Sequence, residues 1–378
     1  MRYNLPMWMR PLAVALVLAA APAAAAGPAI AADARLDLIG LVGRLSGDPQ
    51  SPRNPESDAA AASFARWRSH PAVARLARMR ANGFSGDVPA QYAVYLSTPP
   101  NIREAVPAPI FFTKTAGGRD QLDAWLSELR DFVRVSGFQD WEARREPQRL
   151  AELAAVRASA GAHDLETPLI RFLGVKPWGA WTVVVSPFFP NGAGASWVLE
   201  EKTGAPDVIV VYGLYWQGFW KKTMSGGSPE KYAQGVWPEA VFSMAYALYE
   251  ACAPELKITP SACAGMPDLA NVEDCVEETW VRGVVARLIK EGYGDEAARA
   301  YRSPWAATPQ QAKVDSALEA YEADRGRFPD LMAAAGALSA PFQPDGRAPA
   351  CRVVDPSPRA DVHAHRISYY LDARRRSR

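Results

Sequence analysis

Trp181-Thr182-Val183-Val184-Val185 and Asp207-Val208-Ile209-Val210-Val211 are the stretches that decide the fold class. Both are short, continuous and β-branched, the pattern of buried strands. Pro187 and Pro190 stop the first, and a polar, glycine-rich segment over 191–206 separates it from the second. This layout predicts a β-hairpin or two neighbouring strands. On both sides the period becomes helical. Leu36, Leu38, Ile39, Val42 and Leu45 predict a first helix before Gly47. A second is expected over 58–80, broken or kinked at Pro71 beside His70. A third covers 120–135, with Leu122, Trp125, Leu126, Leu129 and Phe132 on one side, and a fourth 147–160. Downstream, helices are expected over 238–251, 269–291 and 314–325. Helices, a small sheet and helices again read as a mostly helical α+β domain.

The chain has 378 residues, of which 49% are apolar and 22% charged, as in a globular protein. Lys plus Arg total 42 against 41 for Asp plus Glu, so no strong field favours nucleic acid. Arg2 and Arg10, the apolar run from Leu12 to Leu18, the alanines through Ala26 and the small-x-small Ala29-Ile30-Ala31 have the order of a secretory leader. The expected division is a signal peptide over 1–31, one domain over 32–335 and a proline- and arginine-rich tail over 336–378. The product is expected in the periplasm or secreted, with no membrane span in the mature chain.

Cys252, Cys263, Cys275 and Cys351 are the only cysteines, an even number that favours disulfides in an exported chain. Three pairings are possible; Cys252 with Cys263 would close a short loop between helices. The spacings are not those of a zinc site.

The sequence has no G-x-S-x-G elbow, no phosphate loop and no H-E-x-x-H. Gly192 and Gly194 read as a turn, His163 as a loop residue, and His363 and His365 as solvated tail residues. On the helix over 238–251, Phe242, Tyr246 and Tyr249 share one face. On the helix over 269–291, Val276, Trp280, Val284 and Leu288 make the apolar stripe. Glu278 continues the line of Val281, Val285 and Ile289, and a carboxylate on such a seam needs a partner.

Several segments, in order, resemble a bacterial family known as domain of unknown function 4932. They are Leu36-Asp37-Leu38-Ile39-Gly40-Leu41-Val42-Gly43-Arg44, Ser69-His70-Pro71-Ala72-Val73, Val184-Val185-Ser186-Pro187 with Asn191-Gly192, Cys275-Val276-Glu277-Glu278-Thr279-Trp280-Val281-Arg282, and Ala320 to Pro329. Many members carry H-E-F-x-H on the helix before a C-V-N-E-H helix, a layout similar to that of gluzincin metallopeptidases. The resemblance implies a zincin-like, gluzincin-type fold. It also implies a lost site: Phe242 and Tyr246 stand at the two His positions, Ser243 at the general base, and Thr279 beside the remaining Glu278. One carboxylate does not hold a catalytic zinc, which needs about three protein ligands. No metal and no cofactor are therefore expected. Tyr246 or Arg282 is expected to partner Glu278.

Three functional readings follow. The first is an exported, non-catalytic relative of metallopeptidases that binds peptide, protein or glycan. Its candidate binding residues are Tyr215, Trp216, Phe219 and Trp220, since exposed aromatics favour recognition. Those rings read equally as core. The second is a hydrolase without zinc, using Ser243, or Glu278 with Glu239 or Glu250. The third is a structural envelope protein with its basic tail on an anionic polymer; residues 341–378 hold eight arginines and four aspartates.

Overall fold

A computed structural model describes residues 28–352, except 87, 161–163, 176–180, 190–195, 201–205, 214, 217–223, 226–227, 259–262, 264–271 and 304–307. The chain enters through strand β1 (Ala29–Ala31) and helix α1 (Ala34–Leu45). Asp33 caps α1, its side chain accepting from the Arg35 amide at 2.8 Å. The expected second helix is two helices, α2 (Pro55–Ser63) and α3 (Pro71–Met79), joined by a 3₁₀ turn. Asn54 and Ser57 form a reciprocal cap on α2, and the Asn54 amide also donates to the Pro187 carbonyl at 2.7 Å. His70 ends one segment and caps α3: its Nδ1 accepts from the Ala72 amide at 3.2 Å.

Short helices α4 (Val88–Ala93) and α5 (Ile110–Ala116) lead into α6 (Arg119–Ser136). Gly137, at φ 74°, turns the chain into α7 (Phe138–Ala160), which starts before Pro147 rather than at it. Then come α8 (Glu166–Leu173), β2 (Trp181–Ser186), β3 (Ser196–Glu200), β4 (Pro206–Gly213) and a small ladder of β5 (Tyr215–Trp216) with β6 (Met224–Ser225). The expected strand runs are neighbours, but not a hairpin. The sheet order is β1-β2-β4-β3, with β1, β2 and β4 parallel and β3 antiparallel at the edge.

Helix α9 (Pro229–Cys252) also begins earlier than expected, at the Ser228 cap, and carries Pro238 in its interior. Helix α10 (Val272–Arg302) is interrupted by Gly294 at φ 89°; α11 (Pro309–Ala323) and α12 (Ala335–Ser339) follow. The result is a mostly helical α+β body.

Strand β2 faces two apolar cores. Trp181, Val183 and Val185 enter one, formed with α8–α12; Val184 enters the other, formed by α1–α6 with Phe188 and Phe189. The approach of α1 to this strand end is close: a Cβ on Gly40 would lie 2.3 Å from Phe188 Cβ. Helix α7 spans both cores, placing Phe138 in the second and Leu153, Val156 and Ala160 in the first.

One pairing considered for the cysteines is corrected, and two expected boundaries fall within described structure. The disulfides are Cys252–Cys351 and Cys263–Cys275, not Cys252–Cys263. The returning chain brings Cys351 to the end of α9, where the Arg352 amide donates to the Ala251 carbonyl at 2.9 Å. The first residues of the expected tail over 336–378 pack on the body. Leu338 and Phe342 are fully buried, and Trp280 Nε1 donates to the Leu338 carbonyl at 2.9 Å. Finally, Ala29-Ile30-Ala31 is strand β1, in register with Thr182-Val183-Val184, so a cut after Ala31 would remove part of the sheet. No helix among the described residues is long and apolar enough to cross a membrane. Two disulfides and no such helix are compatible with a place outside the cytoplasm.

Candidate functional site

Helices α9 and α10 pack side by side over much of their length. Phe242 is buried in the core with Val241 and Ala245. Helix α10 buries Val276, Trp280, Val284 and Leu288, and equally Val281, Val285 and Ile289. At the margin of this seam, Glu278 Oε1 accepts from Arg282 Nε at 2.8 Å, one turn along the same helix. The partner expected for Glu278 is therefore present in Arg282. Thr279 is fully buried; its hydroxyl donates to the Cys275 carbonyl at 2.7 Å, back along its own helix. The Tyr301 hydroxyl is pushed well above its usual range, first by burial and then by Glu278; Glu239 adds to this and Arg282 opposes it. Glu278, Arg282, Tyr301 and Glu239 thus form one neighbourhood, whereas Glu250 is exposed. Glu277, which the sequence reading passed over, is more deeply buried than Glu278.

The side chains of Ser243, Tyr246, Tyr215 and Trp216 lie outside the described residues, as do Phe219, Trp220, His163, Gly192, Gly194, His363 and His365. The backbone of Tyr215–Trp216 is described. It follows β4 just beyond Gly213, the partner of Ser186, at the carboxyl edge of the parallel strands. That edge is where open α/β sheets commonly bind ligands.

The same edge carries a second constellation that sequence reasoning missed. Arg145, on α7, is buried with four carboxylates. Its Nη1 is 3.2 Å from Asp37 Oδ2 of α1 and 3.4 Å from Glu142 Oε1. Its Nη2 holds Glu56 Oε1 of α2 in a short contact and lies 3.7 Å from Glu152 Oε2. Ser186, the last residue of β2, donates to Asp37 Oδ1 at 2.7 Å. Gln148 donates to Glu56, and Arg149 Nη1 binds Glu142 at 2.9 Å. The Arg145 guanidinium also lies over the Trp141 ring, 4.6 Å from its centroid.

Burial pushes the Asp37 carboxyl up, against the pull of Arg145. Burial and then Asp37 push Glu142 up to about 7. Burial and then a hydrogen bond with Glu56 push Glu152 up to about 9. Burial works against the charge of Arg145, but Asp37, Glu56, Glu152 and Glu142 outweigh it and raise its pKa. One signal for this cluster was present in the sequence: Glu142, Arg145, Arg149 and Glu152 recur at helical spacing. Pro147 hides it, because proline favours a helix start there, whereas the helix runs from Phe138.

No group of three or more His, Cys, Asp or Glu able to hold a metal ion occurs among the described residues. Compared with protein-family models, curated proteins and solved structures, the chain matches none.

Proposed function

We propose that the chain is an exported, non-catalytic relative of the metallopeptidase-like family named above, a degenerate zincin that acts by binding peptide, protein or glycan. The observation that carries this reading is the Glu278–Arg282 pair. In the family pattern that carboxylate would be a zinc ligand; here a guanidinium already neutralises it. The two positions that would supply imidazoles are Phe242 and Tyr246, and the general-base position is Ser243. A buried ring at Phe242 adds to the core what a metal ligand would have taken from it. The binding half of the reading rests on Tyr215 and Trp216, which follow β4 at the carboxyl edge of the sheet.

Metal analysis of the oxidised, purified protein tests the first half. Less than about a tenth of an equivalent of zinc is expected after dialysis, with no chelator-sensitive cleavage of denatured protein substrates. Stoichiometric zinc would overturn the reading. The second half is tested by titrating peptidoglycan fragments and unfolded peptides against tryptophan fluorescence, with Trp216→Ala expected to lose the response.

A hydrolase without metal is the alternative, favoured by one feature: Glu278 and Glu239 both act on Tyr301. It requires glycosidase or peptidase turnover that Glu239→Gln abolishes.

A further inference from the structure

The Arg145 cluster contains more acid than its bases can neutralise. Asp37, Glu56, Glu142 and Glu152 face Arg145 and Arg149, four potential negative charges against two positive. The remaining polar groups, the Ser186 hydroxyl and the Gln148 amide, are neutral hydrogen-bond donors. Arg149 is shared with Glu146, a seventh charged side chain on the outer, half-exposed side. Asp37, Glu56, Arg145 and Glu152 are each more than nine-tenths buried, so water does not make up the deficit.

The two carboxyl groups on Arg145 Nη2 come from different helices and are held unequally. Both Glu56 oxygens have donors, Arg145 and Gln148. Glu152 Oε1 has no hydrogen-bond donor, and Oε2 lies 3.7 Å from Arg145 Nη2, beyond hydrogen-bond distance. Two carboxylates cannot hydrogen-bond to each other without a hydrogen between them. From this geometry we infer that Glu152 keeps its proton and donates it to Glu56, so that one buried proton latches α2 to α7 across the junction of the two cores.

The upward push on Glu152, to about 9, agrees with this arrangement. A carboxyl that stays protonated in the fold but ionises in the unfolded chain ties stability to pH in a definite direction. The latch is complete below the ordinary glutamate range. Its contribution falls as pH rises above that range, and is gone once pH passes about 9. The two glutamates then oppose each other across one guanidinium nitrogen, and α2 loses its hold on α7.

Glu152→Gln replaces the O–H donor by an N–H donor that cannot ionise. It should melt close to the wild type at pH 5 and above it at pH 8.5. The gap should widen by about 1–2 °C per pH unit, the size expected for one proton in a chain of this length. A gap that stays constant with pH overturns the inference. Infrared spectra of the wild-type protein carrying ¹³C-labelled glutamate supply a readout independent of any variant's folding. A neutral-carboxyl band is expected at pH 7, disappearing near pH 9, and its absence at pH 7 overturns the inference. Glu56→Gln removes the charge that Glu152 faces and should move that disappearance to lower pH. An unmoved band would assign the proton elsewhere and also overturn the inference.

Discussion

At the scale of single residues, Arg145 ties three helices together. Its two terminal nitrogens reach carboxylates of α1, α2 and α7, and its plane covers Trp141. Truncating one member of a buried charge network strands the others, at a cost of about 3–5 kcal/mol. Arg145→Met should therefore lower the unfolding free energy in urea by that order. Arg145→Lys should recover only part of it, because an ammonium does not present two nitrogens to two pairs of acids. Loss below about 1 kcal/mol for Arg145→Met would mean that the carboxyls simply take up protons. None of this was legible in the residue pattern of α1, where Asp37 sits inside an apolar stripe and looks like a solvated flank. Its burial follows from Ser186, a residue 149 positions away, which no local period can report. Glu278 was legible, because a lone acid on an apolar line must find a partner, and Arg282 lies one turn on.

At the scale of elements, strands β2 and β4 and the long helices could be read from periodicity, and the misplaced helix starts fall at prolines. Pro147 and Pro238 predict helix starts, yet both lie inside long helices, α7 and α9. Proline suits a first turn better than an interior in isolation; burial of the surrounding face overrides that preference here. Strand β1 was missed for a different reason: Ala29-Ile30-Ala31 also satisfies the small-residue rule of a cleavage site. Its backbone pairs with β2, the Ile30 carbonyl accepts from Arg157 Nη2 at 2.9 Å, and Ile30 packs on the core. Under the exported reading, a leader cut falls upstream of Ala29, with Ala24-Ala25-Ala26 the nearest alternative of the same small-residue kind. N-terminal sequencing of the protein purified from its native host would check this. A version starting at Ala32 should melt several degrees lower than one starting at Gly27, from loss of the edge pairing.

At the scale of the whole molecule, the two cores depend on contributions from distant parts of the chain. Residues 336–351 complete the C-terminal core through Leu338, Phe342 and Cys351, although their composition reads as a tail. Ending the chain at 335 should leave it aggregated or proteolytically labile, and Cys351→Ser alone should cost about 2–5 kcal/mol of stability. Thermal melts with and without reductant would measure the second. The nesting of the two bridges has a further consequence. A chain threading into an oxidising space from its N-terminal end presents the thiols of Cys252, Cys263 and Cys275 before that of Cys351. The earliest bond open to Cys252 is thus a wrong one, to a neighbour that arrives first. Under the exported reading proposed above, maturation waits for the last stretch to emerge or undoes what formed too soon, which is the work of enzymes that reshuffle sulfur linkages.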